Sequence, residues 1–264
     1  MIRTNWMPVL KKKDNNLVIL KTLTFSGGFL FIPMKEKITI VIPCKNENDN
    51  IYECISFIAK QVGSAGLKVI IADNSDEGQS LDFLYYVERD FKYCLDIEII
   101  EGGFPAKARL EGSKLVTTPY ILFLDADIFL QNKFVLGECL AYDCDLVTVP
   151  FQTERGFNWI FRLFDIQQRI SNLIGTPFAI GGFQLWKTEA YWKTGGYDET
   201  HLFAEDYWVS QKAEKMVIHK TKGVWTSARR FRNKGFFYMF WLSIKCYINR
   251  NNNSFFQKHH NYWV

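Results

Sequence analysis

The stretch YILFLDADIF, Tyr120 to Phe129, runs five apolar residues straight into two aspartates one residue apart. An uninterrupted apolar run of this length reads as a strand buried on both faces. Side chains at i and i+2 of an extended segment point to the same side. Asp125 and Asp127 are therefore expected to project together beyond the end of a sheet. Two such carboxylates repel and raise one another's pKa unless a positive group lies between them. A divalent cation, Mn2+ or Mg2+, meets that need, because both ions take oxygen ligands.

Working outward, the same pattern repeats on the N-terminal side. ITIVIP (Ile38 to Pro43), LKVIIAD (Leu67 to Asp73) and LDIEII (Leu95 to Ile100) read as three earlier strands. Helices are expected between them: one capped by Asp49 or Asn50 and running through Gln61, one around Leu81 to Phe91, and one from Pro105 to Leu115. A further helix leads to DLVTVP, Asp145 to Pro150. Alternating strands and helices with short connections predict an α/β fold with a mostly parallel central sheet flanked by helices, Rossmann-like in its winding. Ligands of such sheets bind beyond the carboxyl ends of the strands. CKNEN, DNSDEG, EGGFPAKAR and DADIF each follow a predicted strand. Turn chemistry explains any one of these loops, but not the shared location of all four.

The chain of 264 residues is nearly half apolar, which admits a sizeable core and excludes wholesale disorder. Six cysteines are scattered without a C-x-x-C pair, as in a cytoplasmic protein with reduced thiols rather than a zinc or dithiol protein. From Gln211 onward eleven Lys and Arg face one acid, Glu214. That tail suits phosphates or the anionic inner face of a membrane, as well as a merely solvated surface. Nucleic acid is not expected, because no nucleic-acid fold signature accompanies the charge. Near the start, Lys11 to Lys13 precede NLVILKTLTFSGGFLFIPM, which reads either as a signal anchor or as an extension ahead of Met34. Lys21 and Gly27-Gly28 weaken the anchor reading.

VIPCKNEN, IADNSDEG, AKARLEGSKLVTTPYILFLDAD, GGYDE and AEDYWVSQKA stand in an order that resembles the family 2 glycosyltransferases of GT-A fold. The resemblance spans Lys37 to Arg232. It divides the chain into an N-terminal extension (1–36), a GT-A domain (37–232) and a basic, aromatic helical segment (233–264). It implies a metal-dependent, inverting transfer of a sugar from a nucleotide-sugar donor to a glycan or lipid-linked acceptor. In family terms, Pro43, Lys45 and Glu47 flank the base and ribose. Asp73 bonds the base, with Asn74 beside it where many members have another acid. Lys107 and Arg109 fall on the family's basic loop, although ARN reads ARL here. Asp125 and Asp127 match its D-x-D pair, the second being the firmer metal ligand. UDP is the expected nucleotide, since Asp73 can accept the imino proton of uracil.

Gly181 and Gly182 in FAIGGFQLWK are expected where a backbone approaches the acceptor closely, or else at a strand bulge. Glu205 and Asp206 open a helix, where acids are also favoured by the dipole alone. The resemblance makes one of them the general base, with Asp206 first and Glu205 as its competitor. Arg229 and Arg230 are candidates for the leaving diphosphate. Read as a strand, they face opposite sides. GFFYMFWLSIKCYI (Gly235 to Ile248) either packs on the domain or lies in a membrane interface. Three alternatives use the same residues. A phosphatase of haloacid-dehalogenase type is disfavoured, because three strands precede the D-x-D and Ile128-Phe129 follow it. A sugar nucleotidyltransferase lacks its glycine-rich loop here. A nucleotide-sugar-binding module without turnover stays open.

Overall fold

The computed structural model describes residues 33–76, 81–153 and 156–260. The anchor and extension readings for residues 1–32 lie outside the described residues. The first described side chains already pack: Met34 opens a short 3-10 turn, Met34–Glu36, and is buried in the same core as the first strand.

The elements follow in the order β1 (Ile38–Cys44), α1 (Asn48–Ala59), β2 (Leu67–Asp73), α2 (Leu81–Phe91), β3 (Leu95–Glu101), α3 (Pro105–Lys114) and β4 (Tyr120–Leu124). Next come β5 (Ile128–Leu130), α4 (Val135–Leu140), β6 (Leu146–Thr148), α5 (Asn158–Leu173), β7 (Phe183–Lys187), α6 (Thr188–Lys193) and α7 (Glu205–Ser210). The chain continues with β8 (Met216–Ile218), β9 (Val224–Thr226), α8 (Arg229–Lys234), α9 (Phe236–Ile248) and α10 (Asn253–Phe256).

A seven-stranded sheet runs in the order β3-β2-β1-β4-β7-β6-β8. The four strands read from the sequence form its parallel half, β3-β2-β1-β4. β7 enters antiparallel to both β4 and β6, and β8 is parallel to β6. β1 alternates between two cores, which is why its sequence has no polar face. Ile38, Ile40 and Ile42 pack with Ile51, Ile55 and Ile58 of α1, while Val41 packs on the other side with Phe123, Trp186 and Tyr191. Gly112 lets α3 sit directly on this second face, because a Cβ there would lie 2.4 Å from Val41 Cγ1.

Two local expectations are corrected. α1 starts at Asn48, so neither Asp49 nor Asn50 is its cap. The turn into it instead carries two asparagines at positive φ, Asn46 at 54° and Asn48 at 38°, a region asparagine tolerates better than most residues. Asn50 donates its side-chain N–H to Glu47 Oε2 at 2.9 Å. Arg229 and Arg230 open helix α8 rather than continuing a strand, since β9 ends at Thr226.

The apolar segment after Gly235 forms α9, which buries Met239 and packs Leu242 and Cys246 against Phe178, Phe203, Tyr207 and Phe256. Its opposite face leaves Phe237 84% and Trp241 53% exposed. Among the described residues no helix is long and apolar enough to cross a membrane. All six cysteines are free thiols.

Candidate functional site

The parallel half of the sheet delivers its loops to one edge, and β7 adds a fifth contribution from the opposite direction. β4 pairs with β7 through Leu124 and Phe183, so the residue after β4 meets the residue before β7. The Asp125 N–H donates to the Gly182 carbonyl at 3.2 Å. Asp125 and Asp127 are not held by a strand pleat, contrary to the expectation. β4 stops at Leu124, and the Ile128 N–H closes a turn onto the Asp125 carbonyl at 3.1 Å. Both carboxylates nevertheless line one cavity of about 850 Å³, together with Arg109, Glu205, Asp206, Arg229 and Arg230.

Arg109, buried on α3, joins two parts of this rim. Its Nη1 donates to Glu205 Oε1 and its Nη2 to Asp125 Oδ1. Its guanidinium lies 5.5 Å from the centre of the Tyr197 ring. Burial works against the arginine charge, and the carboxylates of Asp125 and Glu205 more than offset it. Lys107, two residues earlier, is exposed on α3 instead of joining this cluster.

Asp206 sits at the other side of Arg109. The Gly181 N–H donates to its Oδ2 at 2.6 Å and the Tyr207 N–H to its Oδ1 at 2.8 Å. Burial and the adjacent Glu205 push its carboxyl up to about 6, while Arg109 and the two N–H donors pull the other way. A Cβ on Gly181 would come within 3.0 Å of this carboxylate. The close approach read into Gly181 is therefore made by Asp206 itself. Gly182 instead lies against Ile128 and Phe151. Behind the site, fully buried Gln184 donates to the Ala179 carbonyl at 2.9 Å and the Asp206 carbonyl at 3.3 Å, and accepts from Trp186 Nε1 and the Tyr197 hydroxyl. Sequence patterning singles out neither Gln184 nor Tyr197. The one signal for Gln184 is a polar residue inside the apolar run FQLWK.

Asp127 forms a second acidic centre. Burial, Asp125 and Glu47 raise its carboxyl to about 7, against the opposing pull of Arg230 and Arg229. The two arginines arrive because β5 pairs antiparallel with β9, which places the start of α8 beside the aspartate turn. Arg229 Nη2 donates to Glu47 Oε1 at 2.7 Å.

The loops of β1 and β2 lie at the same edge of the sheet, but none of their described residues lines this cavity. Asp73 is half-buried and its Oδ1 accepts from Ser75 Oγ at 2.6 Å, while the Asn74 N–H donates to the Cys44 carbonyl at 2.9 Å. Lys45 approaches Asp76 at 3.7 Å and remains exposed. Pro43 is half-buried in β1 beside Ala72, its register partner in β2.

A parallel sheet with an acidic turn at the end of its fourth strand, extended by an antiparallel strand, is the GT-A fold. The mannosyltransferase PcManGT from Pyrobaculum calidifontis, in complex with GDP-Man and Mn2+, is similar with a TM-score of 0.60 at 17% identity, over 79% of this chain and 64% of that one. S. aureus TarS 1-349 in complex with UDP-GlcNAc is similar with a TM-score of 0.57 at 19% identity, over 73% of this chain and 59% of that one. Residues 39–195 match the Glycosyl transferase family 2 model, and the chain belongs to that family. A poly(ribitol-phosphate) beta-glucosyltransferase of Bacillus spizizenii is 30% identical over 102 residues, which are 38% of this chain and 16% of that protein. The chain thus matches less than two thirds of the length of each of these relatives.

Proposed function

We propose that the chain transfers a hexose, with inversion, from a nucleotide-sugar donor to a hydroxyl acceptor, and that UDP-sugars are its preferred donors. The observation that carries this reading is the pair of acidic centres on one cavity, Asp127 with Asp125 and Asp206 with Glu205, on either side of Arg109. Relatives that share the fold and hold GDP-Man or UDP-GlcNAc support a nucleotide-sugar donor.

In this reading Asp73 and Asn74 face the base, with Pro43, Lys45 and Glu47 along the nucleoside. Lys107, exposed on α3, would reach the donor from solvent. Asp127 and Asp125 would hold Mn2+ or Mg2+. Their all-oxygen chemistry, and the burial and neighbouring acids that raise Asp127, fit such an ion. No group of three or more potential ligands occurs among the described residues. When bound, the ion supplies positive charge to the departing diphosphate.

Asp206 takes the proton of the acceptor hydroxyl as that oxygen bonds to the anomeric carbon. The bond from that carbon to the nucleoside diphosphate breaks in the same step. Each oxygen of Asp206 spends one lone pair on a backbone N–H and keeps another for substrate. Glu205, tied to Arg109, orients α7 instead of acting as the base. Arg229 and Arg230 offset the charge that develops on the leaving phosphate. Gly181 and Gly182 shape the floor beneath the acceptor.

Calorimetry with UDP, GDP and dTDP, each with Mn2+, tests the donor side. UDP is expected to bind tightest, and Asp127→Ala to abolish the Mn2+ dependence. Tighter binding of GDP overturns the base preference. Unchanged Mn2+ dependence in Asp127→Ala removes the metal assignment.

A further inference from the structure

The cavity that receives Asp125, Asp127 and Asp206 continues as a groove between α5 and α9. There its walls are Leu163, Ile166 and Ile170 of α5 and Phe236, Met239 and Phe240 of α9. Polar side chains in this stretch are few, chiefly Gln167, Ser171 and Ser243. α5 has three faces instead of the usual two. Ile160, Phe161 and Phe164 are buried, Arg162, Asp165 and Arg169 form a charged side, and Trp159, Leu163, Ile166 and Ile170 recur at helical spacing yet stay exposed. α9 repeats the feature, with Phe237, Trp241 and Ile248 exposed on one stripe.

We infer that this groove holds the hydrocarbon chain of a membrane-borne acceptor with a phosphate-bearing head, and that α5 and α9 rest in the membrane interface when it is engaged. The inference rests on the transfer reading above and names the acceptor class. A hydrocarbon chain needs no hydrogen-bond partners. An extended peptide in the same groove would leave backbone N–H and C=O groups unpaired. The charge around the groove matches an anionic head and an anionic surface. Arg229, Arg230, Arg232, Lys234, Lys245 and Arg250 lie on or beside α8 and α9, and no Asp or Glu follows Glu214. The groove also ends where it must. Cys246 and Tyr247 of α9 line the same cavity as Asp206, so a chain lying along α9 brings its head to that carboxylate. The exposed aromatic stripe of α9 suits an interfacial helix with basic neighbours.

Binding of hexyl, octyl and decyl phosphate, kept below micelle concentrations, tests the groove against inorganic phosphate as the chainless probe. Affinity is expected to tighten roughly tenfold with each added pair of methylenes. Ser243→Trp fills the space between α5 and α9, and Ile166→Asp places a charge there. Each is expected to remove the chain-length dependence, with thermal melts confirming folding. Sedimentation with phosphatidylcholine vesicles, with and without phosphatidylglycerol, tests the surface. The full chain is expected to bind the anionic vesicles, and Phe237→Asp combined with Trp241→Asp to lower the bound fraction at least tenfold. Equal affinity for phosphate and decyl phosphate overturns the proposal, as does chain-length dependence that survives both groove variants. A dimer that buries α5 and α9 and excludes decyl phosphate assigns the groove to a second copy, and also overturns it. Mn2+-dependent donor binding in the same samples reports on the transfer reading alone. Its absence from the unaltered chain sinks that reading, while the alkyl-phosphate series still decides the groove.

Discussion

The two acidic centres share a cavity and differ in how their charge is balanced. Around Asp206 the balance is internal: a buried arginine binds the neighbouring Glu205, and two backbone N–H groups bind Asp206 itself. Around Asp127 the acids outweigh the nearby help, which comes from Arg229 and Arg230 at an exposed helix start. The first centre is finished by the fold. The second keeps an excess of acid, which the proposed function assigns to a ligand. Substitutions in the first should therefore damage chemistry and stability, and those in the second should register mainly in binding.

The largest effect is expected at Asp206. Asp206→Asn should lower kcat by roughly 10²–10⁴-fold, the scale of a positioned base, with Mn2+-dependent UDP binding retained. The amide must turn one N–H toward Gly181 or Tyr207, which are already donors, so its melting temperature should also fall. In the unaltered protein the carboxyl must lose its proton to act. Because its pKa is raised to about 6, transfer should rise with pH up to that point and level off above it. An acidic limb in the ordinary carboxylate range, or a dead Glu205→Gln beside an active Asp206→Asn, breaks the assignment.

Arg109→Met comes next. It strands Glu205, 4% exposed, without its partner. Removing one member of a buried ion pair typically costs about 3–5 kcal/mol, which urea denaturation would measure. A variant as stable as the parent would show that Arg109 serves substrate rather than the fold.

Residues of both centres are legible in the sequence, but the contacts that tie the first together are not. β1 to β4 announce themselves as apolar runs, and α2 occupies the residues its pattern marks. Their loops fall at one sheet edge by topology alone. β6 falls inside the DLVTVP run, but β5, β8 and β9 are three-residue strands, too short for a period of two to show. Yet β5 and β9 bring Arg229 beside Asp127. The link between Arg109 and Glu205 spans 96 positions, and a pair so distant leaves no local pattern. The D-x-D geometry departs from its expected form for a related reason. Strand periodicity predicts where side chains point only while the strand lasts, and β4 ends one residue before Asp125.

Gln184 offers a smaller test of how far the fold supports the first centre. Gln184→Leu keeps the volume but leaves the Tyr197 hydroxyl and Trp186 Nε1 without their shared acceptor. Each unsatisfied buried group costs about 1–3 kcal/mol. The variant should be destabilised measurably, though less than Arg109→Met, and should lose kcat with UDP binding intact. Loss of UDP binding instead would mean that the two centres are mechanically one.

The smallest stability effect is expected at Arg229. Its bond to Glu47 looks comparable to that of Arg109, at 2.7 Å, but its side chain is half exposed. Exposed ion pairs are worth about 0.2–1 kcal/mol, since water competes for both charges and salt screens them. Arg229→Ala should therefore change unfolding stability by no more than about 1 kcal/mol. It should weaken UDP binding in the presence of Mn2+, most visibly at low salt, because it removes a cation from the phosphate side of the cavity. The difference between parent and variant should shrink as salt is added. A loss of stability as large as that of Arg109→Met would make the Glu47 pair a structural anchor, and the contrast between a finished centre and a receptive one would fail. Unchanged UDP affinity at low salt would remove Arg229 from the leaving-group role and hand it to Arg230 alone.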